Sequence, residues 1–300
     1  MVLSSKFKGS GLALLATISF SNIYIFSKLA MKDVNLSSFG VLWFAFALLY
    51  NYLYYYFFTD RKKLSSLPTK SKFILFLIGC SEVISMCAFF LSIKLTENPA
   101  VVSFLANTSP IFVIFIGFIF LKIRYNLLAV IGIAVTLGGV VLINYNNTVS
   151  DLGSFVTPAS LAALIFALFY GISLVLARSE INTIPSTMIT VCRSLFLFLG
   201  FGLYNLFIFE VPHYTADSLL YISIGSIFGP FLGVTLTFAS LKFVDASITT
   251  LICTSRSFFI VLGAFIFMNI LPDNNQLLGG ICIILGIVLI TIGDIRTKSY

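Results

Sequence analysis

Long apolar runs, broken by short polar and basic clusters, make up most of the chain. Each is close to the roughly 20 residues a helix needs to cross a bilayer. In order, they predict spans at 11–30, 38–58, 73–93, 100–121, 126–144, 157–177, 187–209, 217–241, 246–270 and 276–293. The short alternating segments of an outer-membrane barrel are absent. The expected fold class is therefore an all-α membrane protein with ten transmembrane helices, and an even number of crossings puts both termini on one side. The first run follows MVLSSKFKGSG with no small-residue cleavage site, which predicts a retained helix rather than a signal peptide.

Composition supports this class. Of 300 residues, 59% are hydrophobic and only 10% charged, and the mean hydropathy is +1.07. A soluble domain carries about 25% charge. A soluble enzyme, a secreted disulfide scaffold, a coiled coil and a disordered tail are excluded, and the bilayer of an inner or plasma membrane is the expected surrounding. The net charge of +7 would suggest nucleic acid in a soluble protein. Here the basic residues cluster at span ends, so no nucleic-acid partner is expected. One side carries 13 Lys or Arg, including Lys6, Lys8, Arg61, Lys62, Lys63, Lys70 and Lys72, whereas the other carries three: Lys28, Lys32 and Lys94. That asymmetry predicts cytoplasmic termini. The cysteines (Cys80, Cys87, Cys192, Cys253, Cys282) all fall inside spans without a CxxC pair, and read as small core residues rather than metal ligands or disulfides.

The two halves repeat each other. GFIFLKI (117–123) matches AFIFMNI (264–270), LLAVIGIAVTLGGVVL (127–142) matches LLGGICIILGIVLI (277–290), and FLSIKL (90–95) matches FASLKF (238–243). Lys28 at the end of span one falls opposite Arg178 at the end of span six. The expected domains are thus two five-helix repeats, 1–148 and 149–300. Because five is odd, the second enters the membrane from the opposite side, and such inverted repeats house a solute site near the midplane.

On these residues the chain resembles the drug/metabolite transporter superfamily, in its EamA-type ten-helix group. The features are Phe20-Ser21 followed by Lys28, Tyr170-Gly171 followed by Arg178, LTENPAVVSF before span four with Pro110 within it, and Gly132 with Gly138-Gly139 in span five. The chain departs from the family pattern with Trp43 in span two, where the family often has Arg. The resemblance implies a secondary transporter of small organic metabolites, commonly an exporter.

Charges inside the bilayer are the informative candidates, since one at a helix centre costs at least about 2.5–3.5 kcal/mol on insertion scales. Glu82 and Arg256 lie nine and ten residues into spans three and nine. At about 1.5 Å per residue, both sit near the midplane. They read as contacts for the ammonium and carboxylate of a zwitterion, as a structural salt bridge with each other, or, for Glu82, as a proton carrier. Arg193 lies six residues into span seven and is expected to snorkel to the cytoplasmic interface. Asn107-Thr108-Ser109-Pro110 marks span four as a polar, kinked segment in which Pro110 frees the carbonyl of Ala106. Asn22 and Tyr170 are expected to face solute. The glycines Gly225, Gly229 and Gly233 read as an intramolecular packing stripe, with a homodimer as the alternative use. The 33 Phe and 13 Tyr read mainly as lipid-facing, with Tyr50, Tyr52, Tyr54, Tyr55 and Tyr56 as an interfacial belt. His213, the only histidine, reads as a solvated loop residue.

No nucleophile, phosphate-loop, dinucleotide or metal motif is present in the sequence, so no catalytic residue, cofactor or metal is expected, and the chain is not expected to be an enzyme. The expected function is secondary transport of a small organic metabolite, with amino acids or related zwitterions as the substrate reading. A membrane enzyme on a lipid-linked substrate and a non-transporting interaction or sensor protein are the alternatives. The charge asymmetry predicts that a reporter fused to the C-terminus is active only in the cytoplasm. Activity confined to the exterior would overturn the topology.

Overall fold

The computed structural model describes residues 2–31, 33–58, 64–95, 107–121, 126–144, 157–208, 214–256, 258–259 and 274–297, and within these every regular element is helical. The first span is α1 (Val2–Ser21) and α2 (Ile23–Ala30), interrupted at Asn22. Next come α3 (Leu36–Phe58), α4 (Thr69–Leu95), α5 (Ser109–Leu121), α6 (Leu127–Asn144), α7 (Pro158–Glu180) and α8 (Ser186–Ile208). Span eight is α9 (Ala216–Ser226), a π-helical stretch Ile227–Gly233, and α10 (Val234–Ser240). Spans nine and ten are α11 (Ala246–Thr254) and α12 (Asn274–Thr297). Among the described residues the helices follow the order of the ten predicted apolar runs. Five are long and apolar enough to cross a membrane by themselves: Leu36–Phe58, Thr69–Ser92, Pro158–Glu180, Ser186–Phe207 and Ala216–Ser240. The carbonyl of Ala106, His213 and the segment 96–106 lie outside the described residues.

Local chemistry sets several helix starts. Thr157 caps α7 by accepting from the Ser160 amide, and Pro158 follows at the first helical position, where its missing N–H is no loss. Thr215 and Ser218 form a reciprocal capping box at α9. Pro110 stands second in α5, after a turn at Asn107-Thr108, and so occupies the first helical turn. Inside span eight, Pro230 cannot donate and would crowd the carbonyl four residues before it. The chain widens there into a π turn. The exposed carbonyls are taken up by neighbours: Ser19 Oγ donates to Phe228 O at 2.6 Å and Asn51 Nδ2 to Pro230 O at 3.1 Å.

The packing pairs spans from opposite halves. The most extensive contacts join α6 with α12, α4 with α7, and α3 with α8, while α1 lies along α10 and the π stretch. In spans, these are five with ten, three with six, two with seven and one with eight. Exchanging each span for its counterpart five places on maps this set of pairs onto itself, as a bundle of two related halves requires.

The α6–α12 contact brings backbone against backbone. A Cβ on Gly132 would stand 2.8 Å from the Gly286 carbonyl, and one on Gly139 would stand 2.6 Å from that of Gly279. Glycines in corresponding positions of both halves permit this approach. The span-eight stripe also packs within the chain. Cβ atoms on Gly225, Gly229 and Gly233 would meet Trp43 at 2.6 Å, Ile23 at 2.7 Å and Phe20 at 2.8 Å, so the surface a homodimer would use is covered.

Two sequence expectations are corrected. The cysteines are free, but only Cys253 is buried and Cys87 is exposed. A span's outer face also meets an apolar medium, so apolar character alone does not place a residue in the core. Tyr52, Tyr54 and Tyr56 are exposed as a belt requires, whereas the Tyr50 hydroxyl lies 2.7 Å from Ser223 Oγ and ties α3 to α9.

Gly286→Val is expected to lower stability by about 1–3 kcal/mol through overpacking. Gly138→Val, which meets nothing within 4 Å, is expected to stay within about 0.5 kcal/mol of the parent. Thermal unfolding of both in detergent checks the contrast.

Candidate functional site

Between the halves lies a cavity of about 140 Å³, room for about five water molecules at roughly 30 Å³ each. Residues from α1, α2, α3, α4, α7, α8, α10 and α11 line it, together with Pro230 of the π stretch and the turn and first residue at α5. Glu82, Arg256, Asn107 and Tyr170 are all in its wall. Asn22 is not. Its amide donates to the Ile18 carbonyl at 3.0 Å, which satisfies it within its own helix at the break between α1 and α2.

The charged centre differs from the expected one. Glu82, 0% exposed, lies 2.8 Å from Nε of Arg193, itself only 4% exposed. Ser173 Oγ of α7 donates to the other carboxylate oxygen at 2.7 Å. The partner of Glu82 is thus Arg193, and Arg193 does not snorkel. The turn before α8 is packed, with Ile181 and Ile184 buried, and Arg193 turns inward toward α4. Depth along a helix was the only coordinate the sequence offered, and the direction around the axis decided the outcome. The contact is a close ion pair rather than an aligned hydrogen bond: among the described residues Glu82 Oε2 and Arg193 Nη1 have no hydrogen-bond partner.

Arg256 stands elsewhere in the wall, its guanidinium carbon 4.9 Å from the centroid of the Phe20 ring, a cation–π arrangement. Tyr170 lies within electrostatic reach of Arg256, Glu82 and Arg193. Thr237 and Thr250 also face the cavity, each donating its hydroxyl to the carbonyl four residues back and so presenting a lone pair. Neither had a signal in the sequence beyond being a polar residue in a span.

Nine aromatic rings complete the wall: Phe20, Phe39, Trp43, Phe44, Phe89, Phe90, Phe166, Tyr170 and Phe238. Phe166 stacks on Tyr170 with centroids 5.7 Å apart, and Phe89 lies 4.9 Å from Phe166. The expectation that the aromatics mainly face lipid therefore holds for Phe57, Phe58, Phe118 and Phe207, which are exposed, and is corrected for this set.

The cavity is sealed toward one end of the bundle. Leu67, Ile74, Ile78, Ile181, Ile184, Met188, Phe238 and Leu241 form a packed core at that end. Beyond it, Arg178 donates from Nε and Nη2 to Asp245 Oδ1 at 3.2 and 3.1 Å. Ser71 Oγ donates to Glu180 at 2.8 Å, Lys70 approaches Glu180 at 3.5 Å, and Lys8 lies over the Phe243 ring. These contacts join the starts of α4 and α11 to the end of α7, and the start of α1 to the turn before α11.

Among the described residues no group of His, Cys, Asp or Glu is arranged to hold a metal ion. Removing one member of the buried pair leaves an unpaired charge. Arg193→Met is expected to cost about 3–5 kcal/mol, and the double variant Glu82→Met/Arg193→Met to recover most of it. Denaturation in detergent measures the cycle. With Glu82→Met as the second single variant, a double variant that loses the sum of the two single costs would show that the two charges are uncoupled.

Comparison with known proteins agrees with this architecture. One solved structure, titled only "Crystal structure of protein", superposes with a TM-score of 0.75 at 15% sequence identity, covering 97% of this chain and 99% of that one. At this identity the likeness is one of fold. No curated protein sequence matches the chain. The EamA-like transporter family matches twice, over residues 7–145 and 157–292. This multi-pass integral membrane protein belongs to the EamA-like transporter family, and is a transporter rather than an enzyme.

Proposed function

We propose that the chain exports a small organic metabolite by alternating access, with the cavity as the solute site and Glu82, Arg256, Asn107 and Tyr170 in its wall. The observation that carries this reading is the cavity itself, which is charged, aromatic-lined and placed between spans of both halves. The proposed unit of motion is each half, 1–148 and 149–300, rocking against the other around the site. The sealed end is the one at which α1 begins, with Gly9 packed against Phe243. With cytoplasmic termini, as the basic residues predict, the described state is closed to the cytoplasm. The inward-open state then requires separation of Arg178 from Asp245 and of Ser71 and Lys70 from Glu180.

Amino acids and related zwitterions are the starting substrate reading. A carboxylate would meet Arg256, and an ammonium would meet ring faces and the outer edge of the Glu82–Arg193 pair. The chain carries no nucleotide-binding motif, so a solute or ion gradient supplies the driving force in this proposal.

Counterflow in proteoliposomes loaded with a pooled metabolite mixture and read by mass spectrometry tests it. Wild-type protein is expected to exchange a defined subset. Arg256→Ala is expected to lose that exchange while its melting temperature in detergent stays near the parent value. Undiminished exchange by Arg256→Ala would remove Arg256 from the site.

A further inference from the structure

We propose that spans one and eight bend together at a joint formed where both are interrupted, and that this bend opens the sealed end of the cavity. This rests on the carrier reading above and adds a flexible element to the rocking of the halves. The two interruptions lie against each other. In span eight it is the π stretch Ile227–Gly233, with Pro230 inside it. In span one it is the turn at Asn22. The Asn22 amide bonds to Ser19 O, three residues back, at 3.2 Å, and the Ile18 carbonyl accepts instead from Ser21 Oγ at 2.8 Å and Asn22 Nδ2 at 3.0 Å. Side chains inserted into the backbone ladder are a cause of helix bending. Cβ atoms on Gly229 and Gly233 would meet Ile23 and Phe20, and Ser19 Oγ donates to Phe228 O, so one interruption packs directly on the other.

Bending an intact helix in an apolar medium strands backbone N–H and C=O groups. At this joint the carbonyls are already held by side chains: that of Ile18 by Ser21 and Asn22, that of Phe228 by Ser19, and that of Pro230 by Asn51. A side chain can follow its carbonyl as the angle changes. Bending here therefore breaks fewer backbone hydrogen bonds than bending a continuous span.

Spans three and six, the related pair, are built the opposite way. The match of FLSIKL with FASLKF, extended along the span, puts Glu82 at the position of Pro230, and the match of Lys28 with Arg178 puts Ser173 at the position of Ile23. There α4 and α7 run without a break. Their crossing is tied by Ser173 Oγ donating to Glu82, which Arg193 also holds. One pair is jointed at its crossing and its counterpart is locked. The joint also carries the seal. Beyond it, α10 brings Thr237 and Phe238 to the cavity wall, Phe238 packs with Leu241 in the closing core, and the chain runs on to Phe243 beside Lys8 and Gly9 of α1. A bend at Pro230 moves cavity wall and seal together.

The test is double electron–electron resonance on the full chain in lipid nanodiscs. Leu220 and Lys242 flank the joint in span eight, Phe73 and Leu95 flank Glu82 in α4 at the same residue spacing, and all four are exposed. Each pair is replaced by p-acetylphenylalanine, which takes a nitroxide label and leaves the native cysteines in place. Distances are read with and without the pooled metabolites used in counterflow. The span-eight pair is expected to show more than one distance, with populations that shift on adding the pool, and the α4 pair a single distance that does not move. Pro230→Ala restores a backbone donor inside the π stretch. It is expected to narrow the span-eight distances to one and to slow counterflow by about tenfold, with a melting temperature at or above that of wild type. A merely structural proline would instead lower the melting temperature. A span-eight pair as single-valued as the α4 pair under both conditions would overturn the inference. So would undiminished counterflow in a Pro230→Ala chain whose distances have narrowed. In both cases solute exchange still stands. Absence of exchange by folded wild-type protein would remove the carrier reading, while the label distances would still decide whether the joint bends.

Discussion

A carboxylate and a guanidinium 2.8 Å apart in the middle of the bundle constrain everything around them. Glu82 and Arg193 are 0% and 4% exposed, so separating them would leave two buried charges unpaired, and the helices carrying them are held in register. Glu82 is on α4, Arg193 on α8 and the supporting Ser173 on α7. One electrostatic contact thereby joins a span of the first half to two of the second. It also engages the only carboxylate of the described cavity wall.

Around that pair, most buried side-chain polar groups among the described residues find a partner, as an apolar medium requires. Most buried hydroxyls do so locally. Thr17, Thr136, Thr237 and Thr250 each donate to the carbonyl four residues earlier. Such bonds need no tertiary partner and leave the helix surface apolar. Where the backbone itself is disturbed, a side chain from another span fills the gap. Asn51 does this for the π turn at Pro230: its amide reaches Pro230 O and Ser194 Oγ, and its carbonyl oxygen accepts from Thr235. A break in one helix is thus repaired by a neighbour 179 residues away in the chain.

The closed end of the cavity and the α6–α12 seam are built from different physics. One end is closed by an aliphatic core and, outside it, by ion pairs between spans. Lys70 of the outer pairs is largely exposed, and exposed pairs contribute little, about 0–1 kcal/mol each. Lys70 can therefore exchange Glu180 for water at small cost, whereas the mostly buried Arg178–Asp245 pair is costlier to separate. The α6–α12 seam, where glycine backbones meet, has no such freedom. It joins the halves at a place where they cannot slide without steric conflict.

Class, order of spans and duplication were legible in the amino-acid sequence, because each is a local property. A run of apolar residues finds lipid whatever its neighbours do, and GFIFLKI resembles AFIFMNI before either folds. The sequence also marked Glu82, Arg256, Asn107 and Tyr170, since polar residues in a bilayer are conspicuous. It did not reveal that Arg193 takes Glu82, that Asn22 is satisfied by its own helix, or that nine aromatic rings line the cavity instead of facing lipid. Those outcomes depend on the direction each side chain takes around its helix axis and on which helix stands opposite. In an amphipathic helix of a soluble protein, polar spacing reports that direction. Here both sides of most spans are apolar, so the sequence determined depth and order, while only the tertiary packing decided direction and partner.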